Sequence, residues 1–117
     1  MRITKTYFML MAADVPRASG FYRKAFALTP RYESPEWTEL ASDGATIALH
    51  KGGANAERDT GLGFDVDDIQ VACASVADAG GRVVSPPEER PGEGITLATV
   101  VDTEGNRIFL SQPRRET

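Results

Sequence analysis

The sequence predicts an α+β fold made of two βαβββ modules, their strands forming a cupped mixed sheet with the helices on its outer face. Three observations carry this. The order of elements occurs twice: Asp14-Val15 opens one helix and Asp68-Ile69 a second, and Ile47-Ala48-Leu49 follows an Asp-Gly turn as Ile108-Phe109-Leu110 follows the Asp102–Asn106 turn. Apolar residues alternate with period two in the strand segments and fall at helical spacing in the helix segments. A half of about 55 residues can hardly bury a stable core alone, so the halves must pack together or pair with those of another copy.

In chain order, residues 1–52 form the first module, 53–60 a linker and 61–117 the second. Thr4 to Ala13 reads as a strand with both faces apolar: Phe8, Leu10 and Ala12 on one, Tyr7, Met9 and Met11 on the other. Asp14 is an N-cap and Pro16 suits the first turn of a helix ending near Phe26, with Ala18, Phe21, Tyr22, Ala25 and Phe26 as its apolar stripe. Leu28-Thr29-Pro30 ends that helix. Short strands follow at Arg31–Glu33, Trp37–Ala41 and Thr46–His50, the last two joined by a hairpin turn at Ser42-Asp43-Gly44. The polar, Gly- and Ala-rich stretch from Lys51 to Thr60 marks the boundary. Leu62, Phe64 and Val66 then alternate as a strand, and Asp68 caps a helix carrying Ile69, Ala72, Cys73, Val76 and Ala79. Gly80-Gly81 stops it. Arg82–Ser85 is a strand broken by Pro86-Pro87, Glu88–Gly94 a charged loop, and Ile95–Val101 a strand. Asp102 to Asn106 makes a tight turn, where Gly105 and Asn106 tolerate positive φ, and the final strand follows with Ile108 and Leu110 on one face and Arg107, Phe109 and Ser111 on the other.

Composition excludes several functions. The net charge is -4 and no Lys/Arg-rich run occurs, which argues against a nucleic-acid partner. The apolar run from Tyr7 to Ala13 is too short to span a membrane, and the N-terminus lacks the layout of a signal peptide. Cys73 is the single cysteine, so no intrachain disulfide forms; with alanine on both sides it reads as a packed core thiol, and the expected compartment is a reducing cytoplasm.

The element order and its motifs resemble the vicinal oxygen chelate superfamily, which holds glyoxalase I, extradiol dioxygenases, fosfomycin-resistance enzymes and bleomycin-resistance binding proteins. The residues carrying the likeness are Asp14-Val15 through Phe26, the Asp43-Gly44 hairpin, Gly63 to Asp68, Ala79 to Val83 and Asp102 to Asn106. They cover nearly the whole chain in the family's order. The resemblance implies paired modules around a cavity and, in metal-dependent members, a divalent ion held by inward His, Gln or Glu. Those ligand positions fall here on Tyr7, Ala48, Gly61 and Phe109. Three of these have no side-chain donor, and a phenol titrating near ~10 is a poor substitute for histidine. The expectation is therefore no metal and no cofactor, closest in character to the bleomycin-resistance-like members.

Strand alternation gives the inward residues without the family. With Phe8, Ile47, Leu62 and Ile108 toward the helices, the expected ligand-binding set is Tyr7, Met9, Met11, Trp37, Glu39, Ala48, His50, Gly63, Arg107 and Phe109, with Thr46, Gly61, Asp65 and Ser111 also inward. His50, the only histidine, reads either as a general acid or base or as a strand-end side chain in solvent. Tyr7 is a hydrogen-bond donor to a ligand or a packed ring; Trp37 stacks on a planar ligand or packs in the core or a dimer interface. Met9 and Met11 read as wall. Arg107 and Glu39 either pair with each other or with a charged ligand, or stay solvated. Asp65 needs a partner or is twisted outward. The expected function is metal-free binding of a small planar or aromatic molecule by a homodimer. The alternatives are an enzyme of the same superfamily, either a metal-dependent lyase, isomerase or dioxygenase or a metal-free catalyst using His50 or Tyr7, and a structural domain whose cavity is filled by its own side chains.

Overall fold

The structure is a computed structural model, and it describes residues 1–114; the last three residues of the expected second module lie outside the described residues. The first module contains β1 (Phe8–Ala12), α1 (Val15–Phe26), β2 (Thr29–Glu33), β3 (Trp37–Ser42) and β4 (Ala45–Lys51). The second contains β5 (Arg58–Asp65), α2 (Ile69–Asp78), β6 (Arg82–Arg90), β7 (Ile95–Val101) and β8 (Asn106–Pro113). Each module is a four-stranded mixed sheet, in the orders β1-β4-β3-β2 and β5-β8-β7-β6. In both, the first strand runs parallel to the last while the remaining pairs are antiparallel. The hydrogen-bonded ladders are thus two sheets of like topology and not one continuous sheet.

The helices begin where short acidic side chains can satisfy free N–H groups. The Asp14 carboxylate accepts from Arg17 N at 3.0 Å, and Asp68 accepts from Val71 N at 3.1 Å. Helix α1 closes on Ala27, a non-glycine residue at φ 56°, whose N–H donates to the Tyr22 carbonyl. The two helices lie together over the sheets, and Lys24 Nζ donates to the Asp78 carbonyl at 2.9 Å, placing a cation at the negative end of α2. One core runs through both modules: Leu10, Phe21, Tyr22, Leu40, Ile47 and Leu49 from the first continue into Ile69, Val76, Val100, Ile108 and Leu110 from the second.

Four segments differ from the sequence reading. Strand β1 begins only at Phe8, so Thr4 to Tyr7 lie ahead of it. Strand β6 does not stop at Pro86-Pro87 but runs on to Arg90, so Glu88 to Arg90 belong to a strand and not a loop. It is the outer strand of its sheet and shifts register between Val83 and Ser85 and again between Ser85 and Glu88, which accommodates residues that cannot donate. Strand β2 likewise includes Pro30 at an outer edge. Strand β5 begins at Arg58, inside the stretch read as linker, because Arg58 N donates to the Gly105 carbonyl at 2.8 Å.

The modules are joined by the turn between β7 and β8. Asp102 Oδ1 accepts from Glu104 N at 2.7 Å and Asn106 N at 2.9 Å, which fixes the turn. Its Oδ2 accepts from Asn106 Nδ2 at 2.8 Å and from the buried Tyr22 hydroxyl of α1 at 2.6 Å. Burial, together with Asp102, holds the Tyr22 phenol well above its ordinary range. Glu104 is fully buried and reaches the other way. It accepts from Asp14 N at 2.9 Å, from Arg17 Nη2 at 3.0 Å and Nε at 2.7 Å, and from Thr103 Oγ1 at 2.7 Å. Burial pushes its pKa up, but the bonds from Arg17, Thr103 and the Asp14 backbone outweigh burial and leave it below the usual glutamate value. Asn106 Nδ2 and Arg58 Nη2 both donate to the Met11 carbonyl at the end of β1, at 2.9 and 2.7 Å.

Gly105 sits at φ 90°, and a Cβ there would lie 2.5 Å from the Ala56 carbonyl oxygen. Gly105→Ala is expected to cost about 2 kcal/mol or more in urea unfolding, since strain and a backbone clash add. Because Glu104 has a depressed folded-state pKa, its stabilisation is complete above the ordinary glutamate pKa and is lost as pH falls through the lower folded value. The urea midpoint should therefore fall as pH is lowered below the ordinary glutamate range, and fall less in Glu104→Gln, which is less stable than the wild type at neutral pH by roughly 1–3 kcal/mol.

Candidate functional site

Alternation in β1, β3, β4 and β8 sends one set of side chains to the helices and the other to the opposite face. In β8, Ile108 and Leu110 are fully buried while Phe109 between them is 43% exposed. In β1, Leu10 and Ala12 are buried while Met9 is 47% exposed, and Tyr7 just ahead of it 51%. The large apolar side chains of this face therefore stand in the open.

Register sets the rows of that face in the first sheet. Tyr32, Glu39, Ala48 and Met9 lie side by side across β2, β3, β4 and β1, and Trp37, His50 and Met11 form the next row. Ala48 is fully buried, so its methyl floors the site beneath its neighbours and does not line its surface. Trp37 stands edge-to-face with Tyr7 on one side, centroids 5.6 Å apart, and with His50 on the other, 5.8 Å apart. Its indole Nε1 donates to Glu39 Oε2 at 2.8 Å. Lys5, in the exposed segment ahead of β1, bonds Glu39 Oε1 through Nζ. The Lys5 and Trp37 donors hold the Glu39 carboxyl below its usual value against the opposing effect of burial. His50 is exposed, and its Nδ1 lies 2.7 Å from the Lys51 carbonyl, so in the neutral ring Nδ1 carries the proton and Nε2 the lone pair.

The second sheet carries the remaining expected residues. Gly63 pairs in register with Phe109, and Phe109 with Thr99. Arg107 does not pair with Glu39, as one expectation had it. Its guanidinium is 3.1 Å from Glu57 and 3.6 Å from Asp59, and Glu57 also takes Arg82 at 2.5 Å. Asp65 is exposed and needs no buried partner. The expected set is thus divided, seven residues on the open face of the first sheet and Gly63, Arg107 and Phe109 on the second.

Two features were missed in the sequence. Lys5 and Tyr32 belong to the first-sheet site; Lys5 shares the parity of Tyr7, Met9 and Met11, a usable signal, but Tyr32 depends on the irregular β2–β3 register. A cleft of about 500 Å3 also opens between the modules, lined by Phe8, Phe26, Leu28, Ile47, Leu62 and Phe64 with Ser42, Asp43 and Asp65 among its polar residues. Its apolar wall reads in sequence as core.

The donor set does not fit the divalent-metal site of metal-dependent vicinal oxygen chelate proteins. Ala48, Gly61 and Phe109 offer no donor, and among the described residues no three His, Cys, Asp or Glu side chains group so as to hold a metal ion. Among the described residues no helix is long and apolar enough to cross a membrane.

The sequence profile of the Glyoxalase/Bleomycin resistance protein/Dioxygenase superfamily matches residues 6–110, and the chain belongs to that family. Among curated proteins none matches it in sequence. Solved structures share the fold at low identity. A fosfomycin resistance protein, FosX, from Listeria monocytogenes is 15% identical with a TM-score of 0.79, covering 96% of this chain and 94% of its own. A family enzyme from Burkholderia phytofirmans is 18% identical with a TM-score of 0.77, covering 92% and 96%. The bleomycin-binding protein of Streptomyces verticillus, complexed with copper(II)-bleomycin, is 16% identical with a TM-score of 0.71, covering 99% of each chain.

The two faces of β8 make opposite predictions for stability. Phe109→Ala should change the urea midpoint little, by about 0.5 kcal/mol or less, whereas Ile108→Ala should cost about 2–5 kcal/mol.

Proposed function

We propose that this protein binds a small planar or aromatic molecule on the sheet face opposite the helices, without a resident metal, and that two copies pair to enclose it. The observation that carries the reading is the group of Tyr7, Trp37, Glu39 and His50. Its rings are held at right angles by one another and by a carboxylate, and its apolar edges are left open to solvent. Packing alone does not account for Tyr7 and Met9 on the first sheet and Phe109 on the second standing at about half exposure, since exposed apolar groups cost free energy unless something covers them. Sparse polar atoms in an apolar wall are what a pocket uses to orient a guest. The likeness to a bleomycin-binding protein supports a binding role, and that to FosX shows that the same fold also serves resistance proteins of another kind. Pairing of two copies would lay a second apolar face against the first.

Trp37 is the only tryptophan, so its emission reports on this face directly. A panel of small aromatic compounds is expected to include ligands that shift Trp37 emission and raise thermal stability, by about 2.7 kcal/mol at one hundred times Kd. Tyr7→Ala should weaken that binding about tenfold, equivalent to about 1.4 kcal/mol, and Asp65→Ala, in the inter-module cleft, should leave it unchanged. The converse pattern would move the site to the cleft, and sedimentation showing a monomer at all concentrations would remove the pairing.

A further inference from the structure

We propose that the first-sheet face selects an organic ammonium ion borne on a flat aromatic body, with the Glu39 carboxylate as its anchor and Lys5 as the internal cation that the ligand displaces. This rests on the binding reading above and narrows it to a charge class.

The argument starts from Glu39. Its side chain is 17% exposed and stands in a wall of rings and methionine. An ionised carboxylate in such a place is costly unless a cation or several donors meet it. The Trp37 indole N–H satisfies Oε2 at 2.8 Å, which fixes the carboxylate but supplies no charge. The charge comes from Lys5 at Oε1. The cation across the molecule, Arg107, is engaged with Glu57, just ahead of β5, and with Asp59 on β5.

Lys5 is a weak occupant. It precedes β1, so no ladder holds its backbone, and its side chain is 49% exposed. An ion pair with an exposed lysine contributes little, because the long side chain loses freedom and water competes for the charge. A ligand ammonium seated on the same oxygen adds what Lys5 lacks. The Trp37 ring stands beside the carboxylate with Tyr7 edge-to-face against it, and Tyr32, 58% exposed, lies opposite Glu39 in register. Their π faces attract cations, and the ligand's own ring gains contact with them and with Met9. The site therefore exchanges a flexible internal cation for a bound one of the same charge, and an anion would meet Glu39 as a repulsion.

The test is titration of Trp37 emission, with calorimetry, using benzyltrimethylammonium, benzyl alcohol and benzoate as probes. They are compared on the full chain as wild type, Lys5→Ala and Glu39→Gln. Wild type is expected to bind the ammonium about tenfold more tightly than the alcohol. Lys5→Ala should tighten the ammonium by about three- to tenfold and leave the alcohol unchanged. Glu39→Gln should bring the two probes level. Equal binding of ammonium and alcohol in both wild type and Lys5→Ala overturns the charge selection while leaving the binding reading intact. Preference for benzoate overturns it by making Lys5 the anchor. Failure of all three probes to bind any variant overturns both readings. Should Glu39→Gln fail to fold, the ammonium-to-alcohol ratio in Lys5→Ala against wild type decides alone.

Discussion

The buried carboxylates of the Asp102–Asn106 turn hold the two halves in one body. Asp102 organises its own turn and grips the Tyr22 hydroxyl of α1, while Glu104 reaches the start of the same helix and its Arg17. A single hairpin of the second module therefore fixes both the N-terminus and the middle of α1, and through Met11 the end of β1. Removing two carboxylates from water is offset only because each of their oxygens accepts from two donors, most of them backbone N–H groups, Arg17 or Asn106. The arrangement is demanding, and it leaves little freedom in how the modules sit.

That fixed frame explains why the opposite sheet face can be unusual. The helices, the shared core and the turn all lie on one side, so stability does not depend on the side chains pointing away from them. Evolution can place rings, a carboxylate and a histidine there at small cost to folding, and the cost appears instead as apolar area left facing water. The Tyr7–Trp37–His50 array with Glu39 is ordered by its own contacts, the preorganisation that the binding proposal requires.

Much of the fold was legible because its signals are local. Asp14 and Asp68 cap their helices as their position implies, and the burial of Ile108 and Leu110 around an open Phe109 follows from alternation. Pro86-Pro87 misled because a local rule, that proline ends a strand, is relaxed at an outer edge with shifted register. The start of β5 at Arg58 depends on a bond to Gly105, far along the chain. The site was legible in part. Parity put Tyr7, Met9, Trp37, Glu39 and His50 on one face, but partners are a matter of three dimensions: Arg107 chose Glu57 and Asp59, and Glu39 chose Lys5. The inter-module cleft had no signature of its own, since a groove wall and a core use the same residues.

The prolines of β6 and β2 have an effect beyond their own strands. Each removes a backbone donor from the outer margin of its sheet, where a stray strand from another molecule would otherwise find a ready template. The margins at β1 and β5 contain no proline. Lengthening of either sheet by strand addition is therefore discouraged at the margin that carries the prolines.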